Sequence, residues 1–274
     1  MDSRSWNDLS ADDKLASRLD RWRNPGTPFA SAQAHAEYKA RVDRIIAAVE
    51  LRQPDRVPVC LNIGYWPATV AGMTAREAMT DPIRAGRAWV DFNLRFQPDG
   101  AVPPLPGANS AQMLEALDYR LYSWPGHGVA EDASFQYNEQ EWMRAEEYDH
   151  LISDTSDFLL RVYLPRAVGA FAGFARLPSL LDFTELPFVW GHMVAWGSSE
   201  MTQSLERLTA AARAAGEWAP AIFSTFGELT ARGFPGYYQA MCKAPFDILS
   251  DTLRGTRGMM IDMYRRPEKV VAAC

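Results

Sequence analysis

The junction between residues 34 and 63 constrains this chain more than any other feature. From Ala34 to Leu51 (AHAEYKARVDRIIAAVEL), Tyr38, Val42, Ile45, Ile46 and Val49 recur every three or four residues, so they share one stripe of a helix. Gln53-Pro54-Asp55 ends that helix, because proline has no amide hydrogen and biases the residue before it away from helical backbone. Val57-Pro58-Val59-Cys60-Leu61-Asn62-Ile63 follows. Its nearly unbroken apolar character suits a strand covered on both faces of a parallel sheet. Pro58 belongs near the start of that strand, where no ladder hydrogen bond is lost. A helix feeding a buried strand points to an α/β fold.

The elements that follow are mostly helical. Thr74 and Glu77 form a T-x-x-E capping box. Asp81-Pro82 opens a helix that runs through Trp89 and Phe92 to about Phe96. Gly100 to Pro103 reads as a second, short strand. Pro103 to Gly107 is proline-rich, and Trp124-Pro-Gly-His-Gly128 must turn sharply. Gln136 to Tyr148 begins polar and becomes helical, and Asp154 to Pro178 has room for one or two short helices. Phe183 to Trp196 shows no decisive period. Met201, Leu205, Leu208 and Ala212 share one face of a helix that ends near Gly216. Ala219 to Gly227 (APAIFSTFG) reads as a third strand entered after a proline. Helical patterns then cover Tyr237–Lys243, Phe246–Leu253 and Met259–Tyr264, and Pro267 opens a last helix. The stretches Val57–Ile63 and Ala221–Phe226 should therefore be parallel members of one sheet with helices outside. About three strands are legible, whereas a closed barrel needs eight. Residues 1–50 read as a helical extension and residues 51–274 as the α/β part.

Composition excludes several classes. The 274 residues are 47% hydrophobic and 12% aromatic, with nine Trp, so the chain must fold to bury them. The net charge is −6 and no Lys/Arg cluster reaches five residues, which speaks against a nucleic-acid partner. Pro178 to Trp196 is the most apolar long stretch, but Asp182, Glu185 and His192 interrupt it, so no membrane span is expected. The acidic start MDSRSWNDLSADDK is no signal peptide. Cys60, Cys242 and Cys274 form no CxxC pair, which fits a reduced, cytoplasmic setting with Cys60 as an inert thiol in a buried strand.

Two stretches resemble one family. RVDRIIAAVELRQPDRVPV (residues 41–59) and PFDILSDTLRGTRGMMIDMYRRPEKVVAA (residues 245–273) resemble the uroporphyrinogen decarboxylase superfamily. That family includes porphyrinogen decarboxylases and cobalamin- or corrinoid-dependent methyltransferases with a (β/α)8 barrel. The central run WPGHG…FQYNEQEWMRAEEYD…VYLPRAV resembles a longer branch of it. The resemblance implies a TIM-like barrel, incomplete here, with the helical extension in front. It has two departures. The decarboxylases carry an arginine pair just after the first strand to grip propionates, whereas CLNIGYWPATVAG (residues 60–72) has no Arg. The methyltransferases bind zinc through His-x-Cys and a later Cys, and no H-x-C occurs here. That region of the family would lie beyond residue 274, so the chain reads as the N-terminal part of a longer protein. Such a half-built core should expose a strand edge and apolar surface.

The expected function is methyl transfer involving a corrinoid, as substrate or cofactor. A small-molecule or tetrapyrrole substrate and a corrinoid protein are the implied partners. One alternative is decarboxylation of a tetrapyrrole, with Arg84 or Arg254 replacing the missing arginines. The other is a non-catalytic fragment or binding module. The candidate catalytic residues are His127, freed by flanking glycines, and Asp251 and Arg254, which with Asp247 are spaced i, i+4, i+7 on one helix face. The candidate substrate contacts are Tyr65 and Trp66 after the first strand, Asp99 before the second, and Asp247. The acidic run Glu139, Glu141, Glu146 and Glu147 is either an acid–base or divalent-cation site or a solvated face. His192, set among apolar residues, reads as a hydrogen-bonded core histidine.

Overall fold

The computed structural model describes residues 5–102, 109–237 and 242–274. It is 66% helical, and among the described residues the sheet has only three short strands. The barrel expectation is thereby overturned, in its incomplete form as well: this is a mainly helical protein. The third expected strand, Ala219–Gly227, lies inside one helix that runs Ser199–Ala231. The helical period set upstream continues through it, since Ala211, Ala214, Ile222, Thr225 and Leu229 are all buried at helical spacings. Pro220 sits in the helix interior, so the Gly216 carbonyl receives no amide hydrogen from it. A proline followed by an apolar run, taken for a strand start, is here a tolerated break in a helix.

The chain divides into two units, Met1–Ala108 with Ala219–Ala240 and Asn109–Trp218 with Met241–Cys274. In the first, Ser31 caps the helix Ala32–Val49, which buries Tyr38, Val42, Ile45 and Ile46 of the expected stripe, while Val49 at the helix end is exposed. Thr74 and Glu77 form the expected capping box. Asp81 caps Pro82–Phe96, which stops where Gln97 takes a left-handed backbone. Residues 57–63 are extended but not a buried strand. Their β pairing is a single parallel bridge, Cys60 to Gly100, and Val57 and Val59 are exposed. Parallel pairing with Ala221–Phe226 is ruled out because that segment is helical. Cys60 is exposed rather than buried.

In the second unit β1 (Tyr122–Pro125) lies between β2 (Gly128–Val129) and β3 (Gln136–Tyr137). β1 pairs antiparallel with β3, Tyr122 opposite Tyr137, and parallel with β2 through the sharp turn at Gly126–Gly128. Phe183–Trp196 resolves into a 3-10 turn, Leu180–Thr184, and a helix, Leu186–Trp196. Met143, Tyr148, Phe158, Leu249, Leu253 and Met259 form the centre of the core. Of the helix expected over Tyr237–Lys243, residues 238–241 lie outside the described residues, as does the whole Pro103–Gly107 stretch; Cys242 and Lys243 are not helical.

Gly173 packs tightly against the backbone at Glu200 and Met201. A Cβ there would stand 2.6 Å from the Met201 Cα and 2.9 Å from the Glu200 carbonyl, neither of which can swing aside. Gly173→Ala should therefore lower stability by about 1–3 kcal/mol through overpacking, read as a lower urea midpoint.

Candidate functional site

Asp99 organises the first unit. It follows the Pro82–Phe96 helix and is fully buried. One carboxylate oxygen accepts from Arg44 at 2.6 Å and Arg56 at 2.7 Å. The other accepts from Arg56 at 2.6 Å and from the Val59 amide at 2.7 Å. These four bonds fill the acceptor capacity of a carboxylate. The Asp99 and Gly100 amides in turn both donate to the Val59 carbonyl. Arg44 also grips Asp55 with two bonds, which holds the Asp55 carboxyl below its ordinary range. Cys60 lies beside this cluster. Partial burial and then the Asp99 charge push its thiol pKa up, which makes it a poor nucleophile despite its exposure.

Tyr65 and Trp66 begin the short helix that follows the extended segment, with Pro67 setting its first turn. They face opposite ways. Tyr65 is buried, and burial raises its hydroxyl pKa well above normal, so it is a neutral phenol. Trp66 is 55% exposed and presents its indole to solvent. Two arginines flanking this segment in sequence are engaged: Arg56 with Asp99, and Arg84 with Glu77 at 2.8 Å.

The remaining candidates lie in the second unit. Ile248–Arg254 winds as a π-helix, whose i→i+5 bonds turn the chain less per residue than an α-helix. The i, i+4, i+7 spacing therefore does not keep Asp247, Asp251 and Arg254 on one face. Asp247 is exposed, Asp251 takes Lys243 at the surface, and Arg254 points into the core. There Arg254 meets Asp262, Glu141 and the Met143 carbonyl. Asp262 is fully buried and also accepts from Tyr148 at 3.1 Å and Arg266 at 2.9 Å. Burial pushes the Asp262 carboxyl up, but the Arg254 bond and charge, with Tyr148 and Arg266, outweigh it and hold the carboxyl below its ordinary 3.8.

The acidic run does not converge. Glu139 accepts from the Thr256 amide, Glu141 pairs with Arg254, and Glu147 pairs with Arg166. His127 lies at the exposed tip of the turn with its ring stacked on buried Trp124, 4.1 Å between centroids and 6° between planes. His192 is buried, but neither ring nitrogen has a hydrogen-bond partner; Asp182 stands 3.9 Å away. Its expected hydrogen bond is absent.

Arg44, Arg56 and Asp262 were not singled out from the sequence. A lone Asp in the apolar run Met259–Tyr264 (MMIDMY) is the signal that marks Asp262 as a buried, paired carboxylate. Among the described residues no three His, Cys, Asp or Glu side chains converge as a metal requires, so the residues present do not fit zinc. Two surface grooves, of about 450 Å³ along Thr202–Arg213 and about 360 Å³ between Arg161 and Glu200, contain none of the candidate residues. No protein-family model, curated protein or solved structure shows significant similarity to the chain.

Because the Asp262 pKa is depressed on folding, its stabilising contribution is complete above 3.8 and fades as pH falls through the lower folded value. Asp262→Asn leaves Arg254 buried beside a neutral partner and should cost about 3–5 kcal/mol at neutral pH. Urea midpoints of both proteins, measured across acid pH, should draw together as pH falls below 3.8.

Proposed function

We propose that this chain takes part in methyl transfer involving a corrinoid, which it meets as a substrate, as its resemblance to the uroporphyrinogen decarboxylase superfamily implies. The observation that carries the reading is the loop after the first extended segment. It offers a solvent-facing indole at Trp66 on a backbone fixed by buried Tyr65 and Pro67. An indole face suits a flat macrocycle, with stacking worth about 0.5–1.5 kcal/mol beyond area burial. The same loop suits a propionate-rich porphyrinogen poorly. Residues 60–72 contain no Arg, Arg56 and Arg84 are tied to carboxylates, and Arg254 is buried in its own ion pairs. Asp99, with all four acceptor sites filled, supports the loop rather than the ligand.

In this reading Trp66 positions the ring, Tyr65 holds Trp66, and the Arg–Asp99 cluster fixes the segment that carries both. None of the grooves described encloses a macrocycle, so contact would be through an open face, as with a corrinoid presented by a partner protein. No helix among the described residues is long and apolar enough to cross a membrane. Three free cysteines accord with the reduced, cytoplasmic setting proposed with this function.

Calorimetric titration with methylcobalamin, and separately with uroporphyrinogen, tests the proposal. Methylcobalamin should bind the more tightly, and Trp66→Ala should weaken it about tenfold with an unchanged melting curve. Tighter porphyrinogen binding would return the chain to the decarboxylase alternative. Silence toward both ligands would favour a non-catalytic binding role.

A further inference from the structure

The helix Leu186–Trp196 is anchored by the wrong side for an ordinary surface helix. The residue it buries is His192, whose ring lies 4.0 Å from that of Phe183 and 6.5 Å from that of Trp196. Its opposite side carries Leu186, Trp190, Met193 and Val194, spaced i, i+4, i+7 and i+8, a continuous stripe. That stripe faces solvent: Leu186 is 86% exposed, Trp190 73% and Val194 65%. Water-facing helix surfaces normally carry charge, yet from Leu186 to Ser199 there is no Asp, Glu, Lys or Arg.

We propose that this helix is a self-association surface, packing its Leu186–Trp190–Val194 stripe against the same stripe of a second copy of the chain. The inference does not depend on the methyl-transfer reading. Three observations favour a second copy over other occupants. The first is area. Aromatic side chains bury about 150–250 Å² each, so the stripe with neighbouring exposed Leu180 and Leu181 offers on the order of 600 Å², most of one partner's share of a standard interface. The second is charge. A two-fold interface brings each group against its own equivalent, and an uncharged stripe is complementary to itself, where a charged one would repel. Residues 177–206 also carry four acidic side chains and no Lys or Arg, which disfavours an anionic lipid surface. The third is relief. A Cβ at Gly191 would have nothing within 4 Å, so no side chain there holds a second helix away.

Light scattering on the purified full chain, across a dilution series, tests this. A mass of two copies at micromolar concentration, falling to one on dilution, is expected. Trp190→Glu and Leu186→Glu, each placing like charges across the two-fold axis, should give monomers at every concentration with unchanged far-ultraviolet circular dichroism. A wild-type chain that is monomeric throughout overturns the proposal, as does dimer persisting in both folded variants. Cosedimentation of monomeric wild-type chain with phosphatidylcholine vesicles, abolished by Trp190→Glu, would also overturn it by assigning the stripe to lipid. If either variant loses its helical signal, the dilution series on the wild-type chain decides alone.

Discussion

The buried carboxylate of Asp99 is the interaction on which the first unit depends. An isolated ionised carboxylate out of water is costly, and it is stable only when paired and fully hydrogen-bonded. Here it is both. Arg44 reaches it from the Ala32–Val49 helix, Arg56 and the Val59 amide from the extended segment, and Asp99 itself hangs from the end of the Pro82–Phe96 helix. Three separate pieces of chain are thus held by one side chain. The single parallel bridge between Cys60 and Gly100 lies against this anchor, and the same segment leads into the helix that starts at Trp66.

The second unit repeats the device with different parts. Arg254 and Asp262 are buried together, and Glu141, Arg266 and the Tyr148 hydroxyl complete their bonding. These groups come from the segment after β3, from the helix starting at Tyr148, from the π-helix Ile248–Arg254, and from the helix Gly255–Arg265 with the residue that ends it. Removing one partner would strand a charge among Met143, Leu253 and Met259, a larger penalty than losing an apolar contact of the same size. Arg44, Arg56 and the Val59 amide of the first centre lie within residues 41–59, and Arg254, Asp262 and Arg266 of the second within residues 245–273. What those stretches visibly supply in this structure is anchoring. The chemistry proposed for the chain falls to the exposed groups that the anchors hold in place.

Much of the local structure was legible. The Tyr38–Ile46 part of the stripe, the Thr74–Glu77 capping box and the Asp81-Pro82 start all form, because caps and periodicity act over three or four residues and need no distant partner. Ala219–Gly227 failed as a strand because an apolar run of nine residues has no period of its own, and the helix entering it was already established at Met201. Asp247, Asp251 and Arg254 failed to align because their spacing was read on α-helical turns, while the segment winds more widely. Of the candidate site, the exposure of Trp66 and the burial of Tyr65 could not be separated, since adjacent aromatics look alike until the helix that follows is oriented.

The sequence by itself determined where helices start, which faces they bury, and that no loop arginine is available after the first extended segment. Those follow from backbone hydrogen bonding and side-chain type, which are local. Only the tertiary structure decided that Asp99 is an anchor with no acceptor left over, that Asp262 is buried against Arg254, that Cys60 faces solvent, and that the most apolar helix turns its Leu186–Trp190–Val194 stripe outward. Burial and charge pairing are properties of what converges in space, and residues 43 or more positions apart, such as Arg56 and Asp99, give no sign in sequence that they will meet.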